Sequence, residues 1–93
     1  MQTISITTFT REIGKLLPRI AAGESLIITK HGRWYVRAVP AVSQEAPTAS
    51  RIIGSTDLIP RCPALFAQVH AGTLPGIVIT RWAQPQALIL RPT

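Results

Sequence analysis

The feature that most limits how this chain can fold is a pattern that occurs twice. "LIITKHGRWYVRAVP" at residues 26–40 reads as two short strands joined by a charged tip, and "GIVITRWAQPQALIL" at residues 76–90 repeats its apolar rhythm. A shift of 49 positions lays Ile4 on Ile53, Thr7 on Thr56, Leu16 on Leu65, Leu17 on Phe66, Ile20 on Val69 and Ala22-Gly23 on Ala71-Gly72. Beyond a two-residue insertion around Leu74-Pro75 the shift becomes 51 and lays "LIITK" on "IVITR". Self-similarity of this kind dictates architecture, because each copy is one supersecondary unit that needs a neighbour to bury its apolar face. A unit of about 45 residues seldom encloses a core alone, so the copies are expected to pack on each other.

Within the first copy, "TISIT" alternates like a strand, and Phe9, Ile13, Leu16, Leu17 and Ile20 follow the spacing of one helix face. Thr7 or Thr8 is placed to cap that helix and Gly23 to stop it. Pro18 lies in its interior, where proline costs about 3 kcal/mol and predicts a kink or early break. "SLIIT" and "WYVRAV" read as strands joined through His31-Gly32-Arg33, with Gly32 able to supply a positive φ. In the second copy "RIIGST" replaces the first strand, and Asp57 or a neighbour caps a helix carrying Leu65, Phe66 and Val69. Pro60 and Pro63 are expected near the start of that helix, where proline is tolerated. "GIVIT" and "QALIL" complete a second hairpin, with Pro85 at a strand entrance or edge. The expected fold is therefore α+β, two β-α-β-β units forming one compact pseudo-twofold domain. Residues 1–41 are the first unit, 42–50 a linker, and 51–93 a second, degenerate unit packed on the first.

Ten Lys and Arg against four Asp and Glu leave a formal net charge of +6. That imbalance favours a polyanionic partner, most often nucleic acid. Lys30, His31 and Arg33 crowd one hairpin tip and Arg81 stands at the other, so the excess charge recurs where the repeats converge. Lys15 and Arg19, on the outer face of the first helix, read as ordinary solvated charges. Other chemistries find little support. Cys62 is the one cysteine, which excludes an intrachain disulfide and fits a reducing compartment. No apolar run approaches the roughly 18 residues of a membrane span, and "MQTISITTFTREIG" lacks the order of a signal peptide, which predicts a cytoplasmic protein without membrane attachment. Glu12, Glu24, Glu45 and Asp57 are dispersed, Cys62 has no evident His partner, and the glycines form no phosphate-cradling run. His31 and His70 have no Cys, Asp or Glu at ligand spacing. No enzyme activity, metal or cofactor is expected.

At this point the residues resemble a known family. "ISITTFTREIGKLLPRIAAGESLIITKHGRWYVRAVP" is similar to the N-terminal DNA-binding domain of the Phd/YefM antitoxins of bacterial toxin–antitoxin modules. The resemblance is carried by the opening strand, the stretch "FTREIGKLL", the "AAGE" helix stop, the "IIT" strand followed by a basic residue and glycine, and the closing apolar strand before Pro40. The second half resembles the family more weakly, through its helix stop, Ile-Thr-Arg and Pro-x-Ala. The resemblance implies a dimeric DNA-binding domain that represses its own operon, with DNA contacts at Arg11, early in the first helix, and at Lys30. Arg81 occupies Lys30's place in the second copy, and Arg61 stands one position beyond Pro60, the counterpart of Arg11. Candidate DNA-binding residues are therefore Arg11, Lys30, His31, Arg33, Arg61 and Arg81. In that family a flexible acidic segment binds the toxin; the second copy stands in its place here.

The expected function is that of a transcriptional autorepressor, binding an imperfect palindromic operator in double-stranded DNA as a single-chain pseudo-dimer. A cognate toxin and a further copy of the chain are the other candidate partners. The alternative is a toxin-neutralising or other protein-interaction module, for which Trp82, Leu88 and Leu90 read as exposed apolar residues. Trp34 and Trp82 are expected to pack against the sheet or a partner, and His70 to lie at the surface or in part of the core.

Overall fold

The computed structural model describes residues 2–41 and 51–92; the expected linker, residues 42–50, lies outside them. The elements are β1 (Gln2–Ser5), α1 (Ile6–Arg11), α2 (Ile13–Ala21), β2 (Leu26–Lys30), β3 (Arg33–Pro40), β4 (Arg51–Gly54), α3 (Ser55–Ala71), β5 (Ile77–Arg81) and β6 (Gln84–Leu90). The six strands form one mixed sheet in the order β1-β2-β3-β6-β5-β4. The architecture is α+β, with one sheet and three helices. Residues up to Pro40 supply one side of the sheet and residues from Arg51 onward the other.

Pairing within the two sides follows one scheme. β1 runs parallel to β2 and β4 parallel to β5, and each second strand returns antiparallel into the third. The register slips at the same place on both sides. β3 carries an extra residue, Tyr35, between the partners of Ile28 and Thr29, and β6 carries Gln86 between the partners of Ile79 and Thr80. Even one weak side-chain bond recurs: Thr29 Oγ1 donates to the Ile4 carbonyl at 3.4 Å and Thr80 Oγ1 to the Ile53 carbonyl at 3.4 Å.

Alternation along the strands divides the apolar residues between the faces. Leu26, Ile28, Val36, Ala38, Ile53, Ile77, Ile79, Ala87 and Ile89 join the buried residues of all three helices in one continuous core. Phe9 and Phe66 meet in it at 6.0 Å between ring centroids. On the opposite face Val39, Leu88 and Leu90 form a smaller buried cluster with Val78. Leu88 and Leu90 therefore belong to the interior, which corrects their reading as exposed.

The helices depart from the sequence reading in their boundaries. Phe9, Ile13, Leu16, Leu17 and Ile20 are all buried, as their spacing predicts. The helix that carries them breaks at Glu12 (φ −111°, ψ 22°), whereas α2 runs through Pro18. The cap of α1 is Ser5, whose Oγ accepts from the Thr8 amide at 3.2 Å, so the first helix begins ahead of Thr7 and Thr8. α3 likewise begins early, at Ser55, with Gly54 as an N-cap that offers no side-chain bond. Asp57 falls in its first turn, and Pro60 and Pro63 lie inside it. The cause is the short first strand of each side, which releases the chain into helix after four residues. As expected, Gly23 and Gly72 end the helices at φ 121° and 86°, a region that favours glycine. Pro85, the second residue of β6, stands at the strand entrance.

Candidate functional site

Both hairpins turn on two residues with positive φ, His31 (54°) and Gly32 (75°) in one, Trp82 (53°) and Ala83 (62°) in the other. Such mirror-image turns match the twist of the flanking strands. The first turn follows from its glycine; the second has none and holds two side chains in the left-handed region. The turns place Lys30 opposite Arg33 and Arg81 opposite Gln84 at the ends of the ladders. Because β2 and β5 run in opposite senses across the sheet, the two tips stand at opposite ends of it.

At the first tip Lys30, His31, Arg33 and Trp34 are exposed. Lys30 Nζ lies 5.1 Å from the centroid of the Tyr35 ring, and that ring stacks on His70 of α3 at 4.6 Å and 29°. An extra residue in a bulge is left out of the ladder, and the Tyr35 carbonyl accepts from His70 Nδ1 at 3.0 Å. A carbonyl only accepts, so Nδ1 carries the proton and the tautomer is set. Lys30, His31, Arg33, Trp34, Tyr35 and His70 together line an open cleft of about 600 Å³. Trp34 is 56% exposed, so of its two expected packing surfaces, the sheet or a partner, the sheet is not the one it covers. The reason lies in the bulge, which gives the place facing the helices to Tyr35. His70 is a surface residue, as one of its two expected readings had it, but one tied to β3.

The second tip has different surroundings. Arg81 is half-buried, and its guanidinium carbon lies 4.5 Å from the centroid of Trp82, which is 85% exposed. Arg81 Nη1 donates to the carbonyl of Gly14 at 2.9 Å. Gly14 lies four residues before Pro18, so its carbonyl is the one that proline deprives of a helical partner. The arginine stands where the missing amide would have been. The cleft around it is lined by the start of α3, including Thr56 and Asp57, and by Gly14 and Ile13 of α2. At the first tip the corresponding place holds Ile6, Thr7 and Thr10 beside Lys30, with no carboxylate among its lining residues.

The remaining candidates lie apart. Arg11 ends α1, one residue before the Glu12 break, and is highly exposed, with Nη2 3.8 Å from Glu12. It is thus in the last turn of a short helix and not at the early position expected. Arg61 is exposed on α3. Arg19, read as solvated, pairs with Glu24 at 2.8 Å. The structure therefore brings Lys30, His31 and Arg33 together, sets Arg81 at the far tip, and leaves Arg11 and Arg61 on the helices. Sequence reasoning missed the role of His70; the signal that could have found it is Ala21, its counterpart in the first copy, which shows that the imidazole is particular to one half. Among the described residues no three of His, Cys, Asp and Glu lie close enough to hold a metal ion, and no helix is long and apolar enough to cross a membrane. Compared with known proteins, the chain matches no family model, no curated protein and no solved structure.

Proposed function

We propose that this chain is a DNA-binding transcriptional regulator of the Phd/YefM antitoxin kind, whose two β-α-β-β halves, residues 1–41 and 51–93, form a pseudo-twofold pair within one chain. The observation that carries the proposal is the pairing at the centre of the sheet. The 51-position shift that takes Thr29 to Thr80 takes Ala38 to Ile89, and those two are register partners. On either side of them the pairs Arg37↔Leu90 and Val39↔Leu88 exchange under the same shift. A twofold through the Ala38–Ile89 pair produces this pattern, as would two identical chains joined edge to edge.

Such a pair presents basic groups twice, at Lys30 and at Arg81, to a partner with its own approximate twofold. The molecule's longest extent is 31 Å, close to the ~34 Å of one turn of B-DNA. Phosphate contacts by Lys30, Arg33 and Arg81, with Arg11 and Arg61 on the helices, supply affinity through counterion release. An arginine has five N–H donors, so the bond to Gly14 leaves Arg81 others for phosphate. Asp57 beside Arg81 opposes an anion at that end, so Lys30 contributes more than Arg81 and the operator is read as an imperfect palindrome. A second reading, a module that neutralises a toxin, is favoured by the exposure of Trp82 and Ile52, the latter 70%.

The test is a band-shift titration on DNA from upstream of the chain's own gene at several salt concentrations. With about five phosphate contacts, log K falls by roughly 4.5 per decade of salt. Lys30→Ala lowers that slope by about 0.9, whereas Lys15→Ala leaves it unchanged. Equal losses from both would mean diffuse basic attraction, and no retarded band at low salt would end the proposal.

A further inference from the structure

The cleft between the first hairpin and the end of α3 has no counterpart in the other half. The positions matching Arg33, Trp34 and Tyr35 are Gln84, Pro85 and Gln86, and the position matching His70 is Ala21. Phosphate neutralisation at a duplex surface needs cations, and both tips have them. It does not need an exposed indole beside a fixed tyrosine–imidazole stack.

We propose that this cleft binds an unpaired nucleotide, its base stacked on the Trp34 indole and its phosphate held by Lys30, His31 and Arg33. The inference rests on the DNA-binding reading for its polyanionic ligand, and adds a site that duplex binding does not require. Three observations converge on it. The lining residues are cationic, imidazole or aromatic, with no carboxylate, which suits an anion carrying a flat heterocycle. The volume, about 600 Å³, lies in the ~300–1,000 Å³ range of small-ligand sites. The floor is also preorganised. His70 Nδ1 is bound to the Tyr35 carbonyl and its ring to the Tyr35 ring, so neither side chain has to be ordered when a ligand arrives. Stacking platforms beside cations are the means by which proteins hold single-stranded nucleic acid without reading its sequence. A duplex keeps its bases stacked on each other, so the ligand is a single strand, a frayed end or an extruded base.

The test uses the full chain in a Trp82→Phe background, where Trp34 is the one indole of the two in the sequence. Its fluorescence is titrated with a thymidylate pentamer, with an abasic deoxyribose-phosphate strand of the same length, and with inorganic phosphate. The thymidylate strand is expected to quench Trp34 and to bind about tenfold more tightly than the abasic strand, a difference in keeping with one stacked base. His70→Ala, which leaves the cations in place, is expected to erase most of that difference; Trp34→Leu, checked for folding by circular dichroism and titrated through the anisotropy of fluorescein-labelled strands because it has no indole left, erases it altogether. Equal binding of thymidylate and abasic strands without quenching overturns the proposal. Duplex band shifts on the same variants separate the two readings. Retained duplex binding with no thymidylate quenching removes this site alone, and thymidylate quenching without duplex binding leaves it standing while the operator reading fails.

Discussion

Arg81 does for α2 what a backbone amide does in an ordinary helix. Because its partner carbonyl is orphaned by Pro18, the two side chains are energetically coupled although 63 residues separate them in the sequence. Arg81→Ala is expected to cost about 1 kcal/mol in the native chain. In a Pro18→Ala background, where residue 18 regains an N–H that can reach Gly14, the same change costs close to nothing, and a double-mutant cycle by urea denaturation measures the difference. Additive costs would mean that the arginine does not serve the helix. Pro18 also shows where residue-level reading stops: a proline inside a helical pattern is legible, but its surrogate donor on another hairpin is not. Cys62 gives a second prediction at this scale. Burial pushes its thiol up from 9.0 to about 12, so at pH 8 its thiolate is about a thousandfold scarcer than that of a free cysteine. Alkylation in native buffer should be slower by at least that factor than in denaturant. The sign of the linked stability follows. The folded chain holds this proton more tightly, so the contribution is complete below pH 9 and is lost between pH 9 and 12 at up to about 1.4 kcal/mol per pH unit. Cys62→Ala should flatten that slope.

At the scale of elements, the hairpins show what is legible and what is not. Gly32 announces the first turn, since it supplies the positive φ that a two-residue turn demands. Trp82-Ala83 announces nothing, and the second turn is found through its likeness to the first. Two non-glycine residues held at positive φ are costly, so Ala83→Gly is expected to stabilise the chain by about 0.5–1 kcal/mol, or several degrees in Tm for a domain of this size. A lower Tm would contradict the strain at this turn. The helix cores were legible from spacing, because burial depends on periodicity and the spacing survives the break at Glu12. The helix starts were not. They are set by β1 and β4 ending after four residues, through pairing with strands more than twenty residues away. Tertiary pairing thereby placed Pro60 and Pro63 in a helix interior that local rules would forbid, where the buried face of α3 holds them.

For the whole molecule, the repeat made the architecture legible, while the asymmetry between the halves needed coordinates. One core serves both sides. Phe66 is fully buried against Phe9 from the other half, and α2 packs on β6 as well as on β3. Phe66→Ala is expected to cost about 3–5 kcal/mol and to lower the stability of the chain in one transition, seen alike by circular dichroism and by tryptophan fluorescence at both tips. Separate transitions would mean that each half folds alone. On the proposed reading, the same shared core would let one chain take the place of two on an operator. Native mass spectrometry of the complex with a duplex from upstream of its gene, at low salt, tests that claim most directly. The account predicts a species heavier than the free duplex by one chain, 10.1 kDa. A duplex that stays free, or gains no fewer than two chains, would contradict it.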